Sequence, residues 1–354
     1  CMSIMQEGDA LRLFNGILLK WSQNKDLDAI GRALAVIRDK AGERAAFVGF
    51  VFVEEFKLLL MQGRWDEAAA SFKSMSAQLP EDARRTTYRY LDMEGKRAKL
   101  WDKLDGLYDF VLTQFPEEKA LVESAAVGWV ACARELGKLS ELPDRLTRML
   151  TLGVRSGLVV NAYKDSIYAV IGAEKNEALK ALLAVGDAIA ETNLSVKEHI
   201  DLTPLMFDVA FVLEDYDRVL TAIAAGVGDK SEDWHQMAKN KVLAHKAMKE
   251  ENYKEAALRF GDFMSFVNSM WERPEMDPST GVLHTREMAL GFNAKRIAEI
   301  QVLAGDTNAA VRAYADALDY YRKALADLKP ESKEAALVKS EIQQLEARSG
   351  SDGN

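Results

Sequence analysis

Residues 63–80 read GRWDEAAASFKSMSAQLP. Gly63 suits a tight turn, and Trp65, Ala68 and Phe72 follow at spacings of three and four, which puts all three on one face of a helix. Pro80 then stops that helix, because its ring cannot continue the backbone hydrogen-bond ladder. The stretch therefore reads as a turn followed by the second helix of a helical hairpin. Residues 251–263, ENYKEAALRFGDF, carry the same pattern with Tyr253, Ala256 and Phe260, and residues 305–318, GDTNAAVRAYADAL, carry it with Gly305, Ala310 and Tyr314.

Working outward from these units, one column of large apolar residues runs through the chain: Leu34, Phe72, Tyr108, Leu146, Leu183, Ile223, Phe260 and Tyr314, spaced by 38, 36, 38, 37, 40, 37 and 54 residues. Four residues earlier stand Ile30, Ala68, Leu104, Leu142, Leu179, Val219, Ala256 and Ala310, all apolar and one helical turn back on the same face. Three residues before those come Leu27, Trp65, Trp101, Leu139, Asn176, Tyr216, Tyr253 and Thr307. Columns that stay in phase over a fixed period are the mark of a repeat architecture, in which a hairpin buries its apolar face only against its neighbours.

The three stretches quoted resemble tetratricopeptide repeats, with the aromatic residue at the turn, the small residue for close helix approach and the large ring one turn on. The other units keep the apolar columns and lose the small residues, and the period is nearer 37 than the family's value of about 34, so a HEAT-like or other helical-repeat subclass stays open. The resemblance implies an all-α, right-handed α-solenoid of about eight hairpins over residues 9–328. Residues 1–8 are expected to be a tether. The segment 329–347 is expected to hold a capping helix from Lys333 to Ala347, with Ala336, Leu337, Ile342 and Leu345 on its apolar side, and 348–354 a disordered tail. Pro204 is expected in the first turn of a helix starting near Thr203, after a short helix that Ser195 and Glu198 cap. The β-branched and aromatic run from Phe47 to Val53 is expected to be a helix buried on all sides. About 17 extra residues precede the last hairpin, making 268–287 an insertion loop with Pro274 and Pro278.

Composition agrees with a helical, folded chain: 354 residues, 48% hydrophobic, 29% charged, with seven prolines. A net charge of −9 opposes nucleic acid and anionic membrane surfaces as ligands. The apolar run Ala45 to Val53 is far short of the roughly 20 residues a spanning helix needs. Cys132 stands in an apolar helical context, where an inert thiol is expected. Cys1 resembles the residue that signal-peptide cleavage leaves on a bacterial lipoprotein, which implies lipidation and a place at the cell envelope or periplasm; a scar before a native Met2, and a cytoplasmic protein, is the alternative.

Little in the sequence points to catalysis. His199, His235, His245 and His284 are scattered without ligand spacing, so neither a metal nor another cofactor is expected. Gly226-Val227-Gly228 reads as a turn, and the acid pairs Glu54–Glu55 and Glu250–Glu251 as solvated surface. The expected function is thus a non-enzymatic scaffold or adaptor holding a protein or peptide segment. A helical-repeat enzyme or carbohydrate-binding protein with an open cleft is the alternative. Where the segment would lie follows from the resemblance, since first-helix side chains line the concave surface in that family. Counting back 19 residues from the large column gives Asn15, Val53, Arg89, Val127, Lys164, Pro204, Lys241 and Lys295. Arg89, Lys96, Arg134 and Lys164 would form a basic track for an acidic peptide, joined by Lys241, His245 and Lys295; in the insertion, Trp271, Arg273, His284 and Arg286 are the binding candidates.

Overall fold

The computed structural model describes residues 7–41, 44–224, 232–270, 275–276 and 283–351. Two compact units share them, one ending at His199 and the other beginning at Ile200. The first holds α1 (Glu7–Gln23), α2 (Leu27–Ala41), α3 (Ala45–Met61), α4 (Trp65–Met75), α5 (Glu81–Arg97), α6 (Trp101–Gln114), α7 (Lys119–Glu135), α8 (Leu142–Thr151), α9 (Ser156–Gly172) and α10 (Asn176–Ala190). Helix α11 (Val196–Val212) carries the boundary. The second unit continues with α12 (Tyr216–Ala224), α13 (Glu232–Lys249), α14 (Tyr253–Met270), α15 (Arg286–Leu303), α16 (Thr307–Asp327) and α17 (Lys333–Ser351). Strands β1 (Glu275–Met276) and β2 (Leu283–His284) pair antiparallel between α14 and α15. Within the first unit helices pack on their sequence neighbours, and α3 on α5, α7 on α9 and α8 on α10.

The apolar columns fall on every even-numbered helix from α2 to α16. Leu34, Phe72, Tyr108, Leu146, Leu183, Ile223 and Phe260 are buried, as are all eight residues of the column one turn back; Tyr314 is half-buried. The third column marks where those helices begin, or in one case the 3₁₀ turn Leu139–Glu141 that leads into α8. Its two polar members, Asn176 and Thr307, are exposed, while Trp65 is buried and its indole N–H donates to the Leu91 carbonyl at 3.2 Å.

Two residues before each of these starts stands a residue in the left-handed region: Lys25, Gly63, Lys99, Gly137, Glu174, Glu214, Glu251 and Gly305, with φ between 54° and 75°. All eight close the same pair of hydrogen bonds. At Gly63 its N–H donates to Leu60 and that of Arg64 to Leu59; at Glu251 its N–H donates to Met248 and that of Asn252 to Ala247. This is the Schellman closure, which satisfies carbonyls that a helix end leaves open. Glycine takes the conformation freely, whereas each of the five lysines and glutamates there carries about 1–2 kcal/mol of steric cost. The turn is thus imposed by helix packing as much as by residue type.

Several expectations need correction. Helix α3 is a helix despite its strand-like residues, yet it is not buried on all sides: Val48 is exposed and Phe52 and Val53 are half-buried. The Ser195–Glu198 capping box is present, with Ser195 N–H donating to Glu198 at 2.7 Å and Glu198 N–H donating to the Ser195 hydroxyl at 3.3 Å. It opens α11 itself, and Pro204 lies inside that helix instead of starting one. A mid-helix proline costs about 3 kcal/mol, but its ring is exposed while Leu202, Leu205, Val209 and Ala210 around it are buried, each leucine contributing about 1.5–3 kcal/mol. Burial outweighs the lost bond.

At the C-terminus α17 runs to Ser351, so the expected tail is helical over its first four residues and the rest lies outside the described residues. Its buried side is Ala335, Val338 and Leu345, with Leu337 and Ile342 packed alongside. Ala336 faces out, because a stripe at 335, 338, 342 and 345 leaves it about 100° to one side. The expected tether is helical from Glu7, and Cys1 lies outside the described residues. The insertion is shorter than 268–287 as an irregular segment, since α14 reaches Met270 and α15 begins at Arg286.

Candidate functional site

In the first unit Asn15, Arg89, Val127 and Lys164 are exposed and Val53 is half-buried. The basic track is partly answered from within the chain. Lys96 pairs with Asp92 at 2.9 Å and lies over the Tyr108 ring, and Arg134 pairs with Asp165 of α9 at 3.0 Å. Arg89 and Lys164 have no ion-pair partner among the described residues. Four cations in sequence thus reduce to two with unsatisfied charge.

In the second unit Pro204 and Lys241 are exposed, and Lys295 does not line a groove. Its ammonium bonds Glu341 of α17 at 2.5 Å and Gln344 at 3.4 Å, so the terminal helix claims it. The residue that faces open space is the next one, Arg296, because one helical step turns a side chain by about 100°.

Arg296 belongs to a cleft of about 400 Å3 that three helices build. Lys241 and His245 come from α13, one turn apart. Phe260, Phe263 and Val267 form one face of α14, and Ala289, Phe292, Asn293 and Arg296 one face of α15, with His284 of β2 at the edge. The spacing of each set is helical, so each face was legible; which faces converge was not.

The rings are ordered against one another. His245 stands edge-on to Phe211 at 4.8 Å and to Phe260 at 5.2 Å, and His284 stacks on Phe292 at 5.3 Å. Phe292 meets the Tyr321 edge at 5.4 Å. Tyr321 reaches that place because residue 291 is glycine; a Cβ there would stand 2.7 Å from the tyrosine ring. The Thr285 hydroxyl accepts the Met288 N–H at 3.3 Å and starts α15 directly after His284. Arg286 donates to the Asn268 amide oxygen, closing the base of the insertion instead of facing the cleft. Trp271 and Arg273 lie outside the described residues.

Charge in the cleft is positive. The Lys241 ammonium lies 5.5 Å from the Phe211 centroid and 6.0 Å from that of Phe263, held by ring faces and by no carboxylate among the described residues. Arg296 has one long contact, 3.7 Å, to Glu299 on its own helix. Burial pushes the His245 imidazole down to about 4, and the Lys241 and Arg296 charges push the same way against a weaker pull from Glu214. His245 is therefore neutral at pH 7. Asp208 of α11 feels the Lys241 charge without reaching salt-bridge distance. None of the lining residues is acidic.

Cys132 and the Arg145 cluster are committed to the fold. Burial raises the Cys132 thiol to about 12, and its Sγ sits 3.4 Å from the Trp101 carbonyl oxygen, leaving no thiolate for chemistry. Asp105, Glu141 and Lys138 are tied up with Arg145 and with one another. Among the described residues no cluster of three or more His, Cys, Asp or Glu could hold a metal, and no helix is long and apolar enough to cross a membrane.

No family model and no curated protein matches the chain. Among solved structures, a chain of the Naa15/Naa10 complex bound to HypK-THB is similar at 13% identity, covering 95% of this chain and 55% of that one, with a TM-score of 0.27. This chain thus spans about half the length of that neighbour. A likeness this loose supports neither fold detail nor function.

Proposed function

We propose that the chain is a non-enzymatic interaction scaffold, a tetratricopeptide-like right-handed solenoid of eight hairpins closed by α17, which holds an acidic segment of a partner protein. The helices, the eightfold Schellman turn and the in-phase buried columns support the architecture. The observation that carries the function is the cleft of α13, α14 and α15: on a chain of net charge −9, its lining holds Lys241 and Arg296 and no carboxylate. Charge-assisted hydrogen bonds from these two groups suit a carboxylate-bearing ligand. A glycosidase-like reading would need a pair of carboxylates across the cleft, and the lining residues include no carboxylate.

The test is binding of a labelled oligoglutamate to the wild type and to the double variant Lys241→Glu, Arg296→Glu. Wild-type binding should weaken as salt rises, since exposed charges are screened. The double variant should keep its circular-dichroism spectrum and lose binding. Binding that survives the reversal, or ignores salt, would sink the proposal.

A further inference from the structure

We infer that the same cleft takes an aromatic side chain of the partner alongside its carboxylates, so that the recognised feature is an internal acidic segment with a ring at its centre. The inference rests on the acidic-segment reading and adds what the apolar part of the cleft is for. Lys241 and Arg296 approach it from α13 and α15, and its apolar lining is Phe260, Phe263 and Val267 of α14 with Phe292 of α15. Cations alone would need no such floor. The volume, about 400 Å3, falls within the range of about 300–1,000 Å3 that ligand-binding clefts occupy. His245 and His284 stand against Phe260 and Phe292, at 5.2 and 5.3 Å. Their edges and faces offer an incoming ring the offset and edge-on contacts that aromatic pairs prefer. Lys241 is already positioned over Phe263, so a carboxylate flanking the ring meets a cation that needs no rearrangement.

Three internal peptides, acetylated and amidated so that no terminal charge takes part, separate the two components: Ac-GDEFDEG-NH2, Ac-GDEADEG-NH2 and Ac-GNQFNQG-NH2, titrated against the full chain by fluorescence anisotropy. The first should bind at least tenfold tighter than the second, given the surface a phenyl ring removes from water, and at least tenfold tighter than the third, given the charge-assisted hydrogen bonds that the amides cannot make. Ala289→Phe, which fills the cleft between the helices, should reduce the first peptide to the affinity of the second while the fold is retained. Equal binding of the two acidic peptides would overturn the aromatic seat and leave the acidic-segment reading standing. Binding of the uncharged peptide as tight as the first, or no binding of any, would overturn both. Concentration-dependent self-association that Ala289→Phe abolishes would assign the cleft to a second copy of the chain and overturn the inference.

Discussion

Two clusters in this molecule combine the same ingredients, a cation and aromatic rings, and end in opposite states. Around α6, α7 and α8 the Arg145 guanidinium is only 3% exposed and meets Asp105 at 2.6 Å, Glu141 at 2.5 Å and the Trp129 carbonyl at 2.6 Å. The Trp129 ring lies 4.5 Å from it, and Lys138 holds Asp105 from the other side at 2.8 Å. Around α13, α14 and α15, Lys241 meets rings only and Arg296 one distant acid of its own helix. The first cluster has spent its charges on the fold. The second has charge in reserve, and an arrangement in which one cation meets only rings and the other a single distant acid is one that a ligand can complete.

That contrast is broken most directly by removing the cations. Arg145→Ala leaves the half-buried Asp105 with Lys138 alone and the Trp129 carbonyl without its donor, and should cost about 1.5–3 kcal/mol, read as a lowered midpoint in urea. Lys241→Ala should change stability by less than about 0.5 kcal/mol, as for an exposed side chain away from such a network. Comparable losses from the two would erase the distinction.

Close packing separates the regions next. A Cβ on Gly128 of α7 would stand 2.5 Å from the Tyr108 ring, so Gly128→Ala should destabilise by about 1–3 kcal/mol. On α14 nothing lies within 4 Å of the corresponding point at Gly261. Gly261→Ala should stabilise by about 0.5–1 kcal/mol through helix propensity. Thermal melts of both variants decide it.

The Schellman turns, by contrast, should behave alike in both units. Lys99→Gly in the first and Glu251→Gly in the second should each raise stability by about 0.5–1 kcal/mol, because glycine releases the left-handed strain. A loss in either would mean that its side chain contributes more than the strain costs.

The last comparison concerns pH. His245 titrates at about 4 in the folded chain and near 6.5 when unfolded, so the unfolded state binds more protons between those values. Its contribution to stability is complete above about pH 6.5 and is lost as pH falls toward about 4. Asp105 is shifted downward as well: burial would raise it, but its bonds to Arg145 and Lys138 outweigh that and hold it below the usual carboxylate range. Its contribution is present above about 3.9, its unfolded value, and is lost only below it. From pH 6.5 to 4.5 the melting temperature should therefore fall in the wild type and fall less in His245→Phe. Parallel curves would show that the imidazole is not held neutral by the cleft.

The sequence by itself determined where most helices form and which side of the even-numbered ones is buried. Trp65, Ala68 and Phe72 share a face by spacing alone, and Ser195 with Glu198 announces a helix start, because these signals are local and depend on a period of about 3.6 residues. It also marked Lys241, His245 and His284, though as members of a groove and a loop and not as one site. Only the tertiary structure decided which faces meet. Lys295 and Arg296 differ by one residue, and their roles are set by α17, whose Glu341 claims the first and leaves the second open. Lys99 and Glu251 look unfit for a left-handed turn and adopt one, since the packing of the flanking helices outweighs the local strain. The cleft joins residues more than fifty positions apart in the chain. A helical pattern states the direction of a side chain around its own axis; the neighbour that waits there is chosen by how the helices pack.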